Sequence, residues 1–214
     1  MKGQISGKRR IDNRDQNITL TGLKGLNILF GKNGTGKSSF LRNLYQSDAE
    51  SYHLVVPERG GNIVYSSNFL DQENTEAGRK NSRNKNDDNS YRNRAVSRAS
   101  IILTEQGYRS ASGAHLSNNI CTEISNLFKV FLPEFKVFFG EKSPHRLEIY
   151  REIEGGEEKV ADVSKLSSGQ SEALCLAADI ITQSVLWEKE EEKVLLIDEP
   201  DVHLHLDLQN RFAI

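Results

Sequence analysis

The sequence predicts an α/β fold with a mainly parallel core sheet, an antiparallel β part and an inserted helical lobe. Three observations carry that expectation. A glycine-rich loop, Gly31-Lys32-Asn33-Gly34-Thr35-Gly36-Lys37-Ser38, lies between an apolar run and a segment of helical spacing. A second apolar run, Val194-Leu195-Leu196-Ile197, ends in the carboxylates of Asp198 and Glu199. Between them, short runs rich in Phe, Val, Ile and Tyr with a Gly155-Gly156 turn have the period of antiparallel strands. The length, 214 residues, suits one domain spanning 1–214, with residues 71–135 as the inserted loop and helical lobe.

Taken in order, residues 1–30 read as two strands, around Ile18–Leu20 and Leu26–Phe30, joined by a glycine turn. The second is short, mostly apolar and expected to be buried. After the loop, Ser38 to Tyr45 places Phe40, Leu41 and Leu44 on one side of a helix. Tyr52–Val56 and Asn62–Tyr65 read as strands around Pro57-Glu58-Arg59-Gly60-Gly61. Residues 71–98 carry Asn, Arg, Lys, Ser and acids with almost no apolar side chains, so a mobile loop is expected. Residues 116–131 read as an amphipathic helix through Ile120, Ile124, Leu127, Phe128 and Phe131. Strands are expected at Phe135–Phe139, His145–Tyr150 and Lys159–Ala161, and a solvated turn at Glu188–Lys193.

The loop fills the pattern G-x-x-x-x-G-K-S/T in the strand–loop–helix context that the P-loop NTPase motif requires. Glycines 31, 34 and 36 let the backbone curl so that N–H groups converge on phosphate oxygens. The helix N-terminus adds partial positive charge at the same point. Lys37 suits the β- and γ-phosphates of ATP and the Ser38 hydroxyl suits Mg²⁺. Asn33, Thr35 and Ser39 complete the nucleotide-binding set.

The run from Val194 to Ile197 is consecutive aliphatic sequence, which places it centrally and buried on both faces. Ligands sit beyond the carboxyl ends of such strands. There Asp198 suits a magnesium contact, and Glu199 suits the general base that orients water against the γ-phosphate.

A third segment, Leu166-Ser167-Ser168-Gly169-Gln170, opens a helix with Leu174, Ala177, Ile181 and Val185 at apolar positions. It resembles the LSGGQ signature of the ABC-type ATPases, with Ser168 where that motif has its first glycine. A plain serine N-cap before a core helix is the alternative reading. In the family the signature caps the γ-phosphate of the partner subunit's ATP, so the resemblance assigns Ser167, Ser168, Gly169 and Gln170 to contacts in trans. It implies a head-to-tail homodimer or higher oligomer with nucleotides buried at the interface.

Within that family, transporter motors stack adenine on an aromatic residue upstream of the loop, and no Phe, Tyr or Trp precedes Phe30 here. Lys8, Arg9, Arg10 and Arg14 occupy the region instead, as a base contact or a solvated basic turn. The run Asp198-Glu199-Pro200-Asp201-Val202-His203-Leu204-His205-Leu206 resembles that of the RecF/OLD/Rad50-like ATPases, several of which act in DNA repair or phage defence. The inter-motif stretch is too short for long coiled-coil arms and lacks sustained heptads, so a compact head is expected. Gln72 is the one glutamine near the place of the family's magnesium-sensing residue. His203 and His205 give two of the ligands a metal would want and suit a dimer contact or helix-start packing better.

Net charge is −2, which gives no support to a strongly basic binder. Arg79, Lys80, Arg83, Lys85, Arg92, Arg94 and Arg98 admit a nucleic-acid partner, but Asp71, Glu73, Glu76, Asp87 and Asp88 offset most of them. No window approaches a membrane span, and the charged start lacks a secretory apolar core. Cys121 and Cys175 lie in apolar helical patterns and read as core thiols of a cytoplasmic protein. The resemblance implies that relatives continue beyond Ile214 with a strand carrying a γ-phosphate-sensing histidine, so the domain is expected to be incomplete at that end. Two functions follow as expectations. One is an ATP-hydrolysing switch of a nucleic-acid-related or phage-defence assembly, acting on an effector protein or nuclease. The other is a nucleotide-gated sensor that holds and releases an effector with little hydrolysis.

Overall fold

Tyr52–Val55 and Val194–Ile197 are almost wholly apolar, so neither has a face that can be left to water. In the computed structural model they pair in parallel, Tyr52 opposite Val194 through Val55 opposite Ile197, as strands β3 and β7. The structure describes residues 3–25, 27–56, 72, 75, 77–78, 91–110, 122, 125–127, 129–130, 132–139, 147–160, 165–186 and 193–199. The elements are β1 Gln4–Ile11, β2 Arg14–Thr21, α1 Lys37–Ser47, β3 Tyr52–Val55, α2 Tyr91–Ser110, β4 Phe135–Phe139, β5 Leu147–Ile153, β6 Gly156–Val160, α3 Ser168–Leu186 and β7 Val194–Ile197.

The β3–β7 pair is covered on both faces, and alternation along each strand divides the core. Tyr52, Leu54, Val194 and Leu196 pack with Phe40, Leu41, Leu44 and Tyr45 of α1 and with Ile5, Ile18 and Leu20 of the β1–β2 hairpin. Val55, Leu195 and Ile197 pack on the other side with α2, α3 and the β4–β5 strands. The carboxylate strand is covered on both faces as expected, but among the described residues it pairs only with β3, so the expected central position is not seen there.

The hairpin β1–β2 corrects the reading of the first thirty residues. Gln4 pairs with Thr21 and Ile11 with Arg14, around a two-residue turn at Asp12-Asn13 with φ 48° and 62°. Asp and Asn tolerate that left-handed region, and the turn they make matches strand twist. Of the expected strand Leu26–Phe30, Leu26 lies outside the described residues, and Asn27–Phe30 has no strand partner among the described residues, with Phe30 89% exposed.

Of residues 71–98, expected as a mobile loop, the part from Tyr91 onward is not a loop, while most of 71–90 lies outside the described residues. Residues 91–98 form the first half of α2, which packs along α3 and is buried from Tyr91 to Ser100. Arg92, Arg94 and Arg98 therefore do not form a solvated basic patch. Arg98 Nη1 lies 3.6 Å from Asp179 Oδ1, and Asp179 Oδ2 lies 3.1 Å from Nε2 of His53 on β3. Small side chains, Ala95 and Ala99 on α2 and Ala173, Ala177 and Ala178 on α3, allow the two helices to close on this polar seam. Burying those charges is tolerable because each faces an opposite or hydrogen-bonding group.

The antiparallel part has the three expected strands, but the turn falls at Glu154-Gly155 rather than Gly155-Gly156, and His145, Arg146 and Ala161 lie outside the described residues. β4 pairs with β5 and β5 with β6, turning at Glu154-Gly155. On its outer face the Lys136 ammonium bonds Glu157 and Glu152, which raises the lysine pKa and lowers that of Glu152. The described part of the expected 116–131 helix is helical at 122, 125–127 and 129–130, and Cys175 is buried. The expected strand Asn62–Tyr65, Cys121, Pro200, His203 and His205 lie outside the described residues. No described helix is long and apolar enough to cross a membrane.

Candidate nucleotide site

The site grows from the end of β7. The Asp198 amide donates to the Val55 carbonyl at 3.0 Å, extending the ladder one step and fixing where its carboxylate leaves the sheet. Asp198 is 6% exposed. Its Oδ1 accepts from the Ser38 hydroxyl at 3.1 Å, across 160 positions of sequence. The glycine-rich loop and the carboxylate strand thus meet, residue to residue. Glu199 follows, exposed and with φ 49°. A glutamate in the left-handed region costs about 1–2 kcal/mol, and such strain tends to gather at functional positions.

The loop is closed by its own side chains. Lys37 Nζ donates to the carbonyls of Gly31 at 2.8 Å and Lys32 at 3.2 Å. Thr35 Oγ1 donates to the Lys32 carbonyl at 2.9 Å. Asn33 and Gly34 are exposed, and Gly34 and Gly36 both have φ 82°. Gly36 is the N-cap of α1, which has no side-chain cap, so the first amides of the helix are left for another acceptor. Ser39 is engaged differently from its expected role: its hydroxyl donates to the Gly36 carbonyl and accepts from the Arg10 amide at 2.8 Å.

That last bond shows what the hairpin does. The Lys8 amide donates to Asn43 Oδ1 at 2.6 Å, so β1 is stitched along α1 at two points. A Cβ on Gly36 would stand 2.9 Å from the Arg10 carbonyl oxygen, so β1 lies directly against the loop. Of the basic residues there, Arg9 spends Nε and Nη2 on Gln16 Oε1 while Arg10 is exposed. Gly36→Ala is expected to lose about 1–3 kcal/mol of stability, since the methyl meets both a forbidden φ and that carbonyl. Urea unfolding measures it, and binding of a fluorescent ATP analogue should weaken in parallel.

Magnesium fits the donor set. Ser38 and Asp198 bring a hydroxyl and a buried carboxylate oxygen together, the hard oxygen ligands that ion takes. Triphosphate fits the loop, since a Cβ at Gly31 would reach 2.8 Å from Thr35 Oγ1 and fill the cradle. Among the described residues no group of three or more His, Cys, Asp or Glu could hold another metal.

At the signature segment the structure shows the capping geometry of the alternative reading, with the turn exposed. Ser167 accepts from the Gln170 amide at 3.3 Å and its own amide donates to Gln170 Oε1 at 2.9 Å, a capping box. Ser167 and Ser168 are exposed, Gly169 and Gln170 half-buried. Sequence reasoning missed the groups behind this turn, Arg92 and Glu172, and the Arg98–Asp179–His53 cluster further along α3. Their signal was the spacing of Tyr91, Ala95, Val96, Ala99 and Ile102, which is helical despite the arginines between.

A loop of this form joined to a carboxylate-tipped parallel strand defines an α/β P-loop NTPase domain. The family profile described as "AAA domain, putative AbiEii toxin, Type IV TA system" matches residues 59–214, and the chain belongs to that family. It is a P-loop ATPase family related to the ABC- and RecF-type ATPases, which use ATP and Mg²⁺. The match covers the signature and the carboxylate strand, and the loop at 31–38 precedes it. No curated protein matches the chain.

Proposed function

We propose that this chain is an ATP-hydrolysing ABC-type ATPase that dimerises head-to-tail around ATP and switches a nucleic-acid-related or phage-defence assembly in the cytoplasm. The observation that carries it is the bond between Ser38 and Asp198, because it joins two motifs whose chemistry is useful only together. Gly31, Asn33, Gly34, Thr35, Gly36 and Lys37 bind the triphosphate, through converging amides and the lysine ammonium. Ser38 and Asp198 hold magnesium, which when bound neutralises charge on the phosphate oxygens. Glu199, exposed beyond the strand, takes the proton of the attacking water. Ser167 and Gly169 complete the site of a second copy. The hydroxyl of Ser167 keeps a donor for that phosphate, since in the capping box it serves as an acceptor.

Burial of Arg92, Arg94 and Arg98 leaves any nucleic-acid contact to other residues. A partner protein gains support from the toxin–antitoxin description of the family. The same description favours a second reading, a nucleotide-gated sensor that holds and releases an effector with little hydrolysis.

Single-turnover hydrolysis measured beside ATP-dependent dimerisation separates the two. Hydrolysis faster than dimer dissociation supports the first reading, and a long-lived ATP dimer without phosphate release supports the second. Ser167→Ala is expected to cost about 1 kcal/mol of stability through the lost cap. It should also weaken ATP-driven dimerisation, read by light scattering, while each head still binds ATP.

A further inference from the structure

The polar contacts behind the signature turn are concentrated on one side chain. Arg92, 2% exposed, donates from Nε to Glu172 Oε2 at 3.1 Å. Its Nη2 donates to the Ser168 hydroxyl at 3.0 Å and to the Ser168 carbonyl at 3.2 Å. Residues 168 and 172 are one turn apart on the same side of α3, so a planar guanidinium spanning both fixes the rotation of the helix start as well as its position. The capping box of Ser167 and Gln170 orders the turn internally but does not attach it to the body of the protein. Arg92 supplies a polar attachment from α2, beside the apolar anchor of buried Leu166. The hydroxyl it grips belongs to Ser168, the residue at which this chain departs from the glycine of the resembling motif.

We propose that Arg92 is the positioning residue of the signature turn. Its buried fork on Ser168 and Glu172 aims the Ser167 hydroxyl and Gly169 amide at the phosphate held by a second copy of the chain. Arg92 itself touches no nucleotide. The inference rests on the proposed head-to-tail reading and goes beyond it by tying α2 to the trans contact. Leu166, buried in the core, seats the chain before the turn. The planar fork of Arg92 sets the orientation of the turn itself, and a lysine there would keep the charge and lose the geometry.

The test uses the full chain with Arg92→Lys, Ser168→Gly and Ser167→Arg. Three quantities are read: affinity of the single head for a fluorescent ATP analogue, ATP-driven dimerisation by sedimentation, and kcat against protein concentration. Arg92→Lys should leave single-head affinity unchanged and weaken dimerisation about tenfold to a hundredfold, the size of losing charge-assisted hydrogen bonds. Raising the protein concentration should recover kcat, which a general loss of structure would not allow. Ser168→Gly should move dimerisation the same way by a smaller factor, and it carries the test if Arg92→Lys does not fold. If Ser167→Arg abolishes dimerisation while Arg92→Lys or a folded Ser168→Gly dimerises as the parent does, the positioning role is overturned and the head-to-tail reading stands. If Ser167→Arg also dimerises as the parent does, the head-to-tail reading fails, and this inference with it.

Discussion

Glu199→Gln should bind ATP as tightly as the parent chain, turn it over about 10²–10⁴-fold more slowly, and accumulate as an ATP-bound dimer. The amide has the size of the carboxylate and still hydrogen-bonds water, but it cannot accept the proton that attack on the γ-phosphate releases. Binding is untouched because the phosphate cradle and the Ser38–Asp198 pair lie on other residues. Stability should be unchanged as well, since the side chain is exposed and the left-handed backbone at φ 49° is held by what precedes it. Rapid-quench hydrolysis with light scattering on the same sample checks turnover and dimerisation, titration with a fluorescent ATP analogue checks affinity, and urea unfolding checks stability. Normal turnover in this variant would remove Glu199 from the role of base.

The glycine-rich loop, the turn at Ser167 and the carboxylate-tipped strand were legible in the sequence because each has a local requirement. Positive φ at Gly34 and Gly36, a cap at Ser167 and an aliphatic strand before Asp198 are demands that neighbouring residues alone express. The antiparallel strands at 135–160 were legible for the same reason, through their alternation and the Gly155 turn.

What was not legible depends on partners distant in sequence. Phe30 looks like a buried strand residue from its apolar neighbours, yet with no strand partner among the described residues it stands 89% exposed. Arg92 and Arg98 look like solvated charges until Glu172 and Asp179 are placed against them, eighty or so positions later. Composition averaged over 71–98 hid the apolar spacing that begins at Tyr91. A local window weighs the cost of burying arginine but cannot see the carboxylate that offsets it.

The hairpin β1–β2 shows the same limit in a different form. Its turn, Asp12-Asn13, is a local signal, yet Lys8, Arg9 and Arg10 hide the strand before it. In the fold those residues contribute backbone rather than charge: the Lys8 and Arg10 amides clamp α1 through Asn43 and Ser39. A basic stretch beside a phosphate loop invites an electrostatic reading, and here part of its work is to seat the loop.

Lys37→Ala should lower ATP affinity about 100-fold, since hydrogen bonds from a charged donor contribute about 1.5–3 kcal/mol and tenfold in affinity is about 1.4 kcal/mol. Two effects add in this fold. The ammonium that would face the β- and γ-phosphates is gone, and so are its bonds to the Gly31 and Lys32 carbonyls that draw the loop closed. Lys37→Arg separates them. A guanidinium keeps the charge and hydrogen-bond donors, but its planar fork does not fit a cradle shaped around a compact ammonium. If charge dominates, Lys37→Arg should retain much of the affinity that alanine loses; if loop closure dominates, the two should bind alike. Isothermal titration with a non-hydrolysable ATP analogue, with and without magnesium, measures both. Affinity unchanged in Lys37→Ala would mean that the triphosphate sits elsewhere, and the pairing of this loop with Asp198 would have no bearing on ATP.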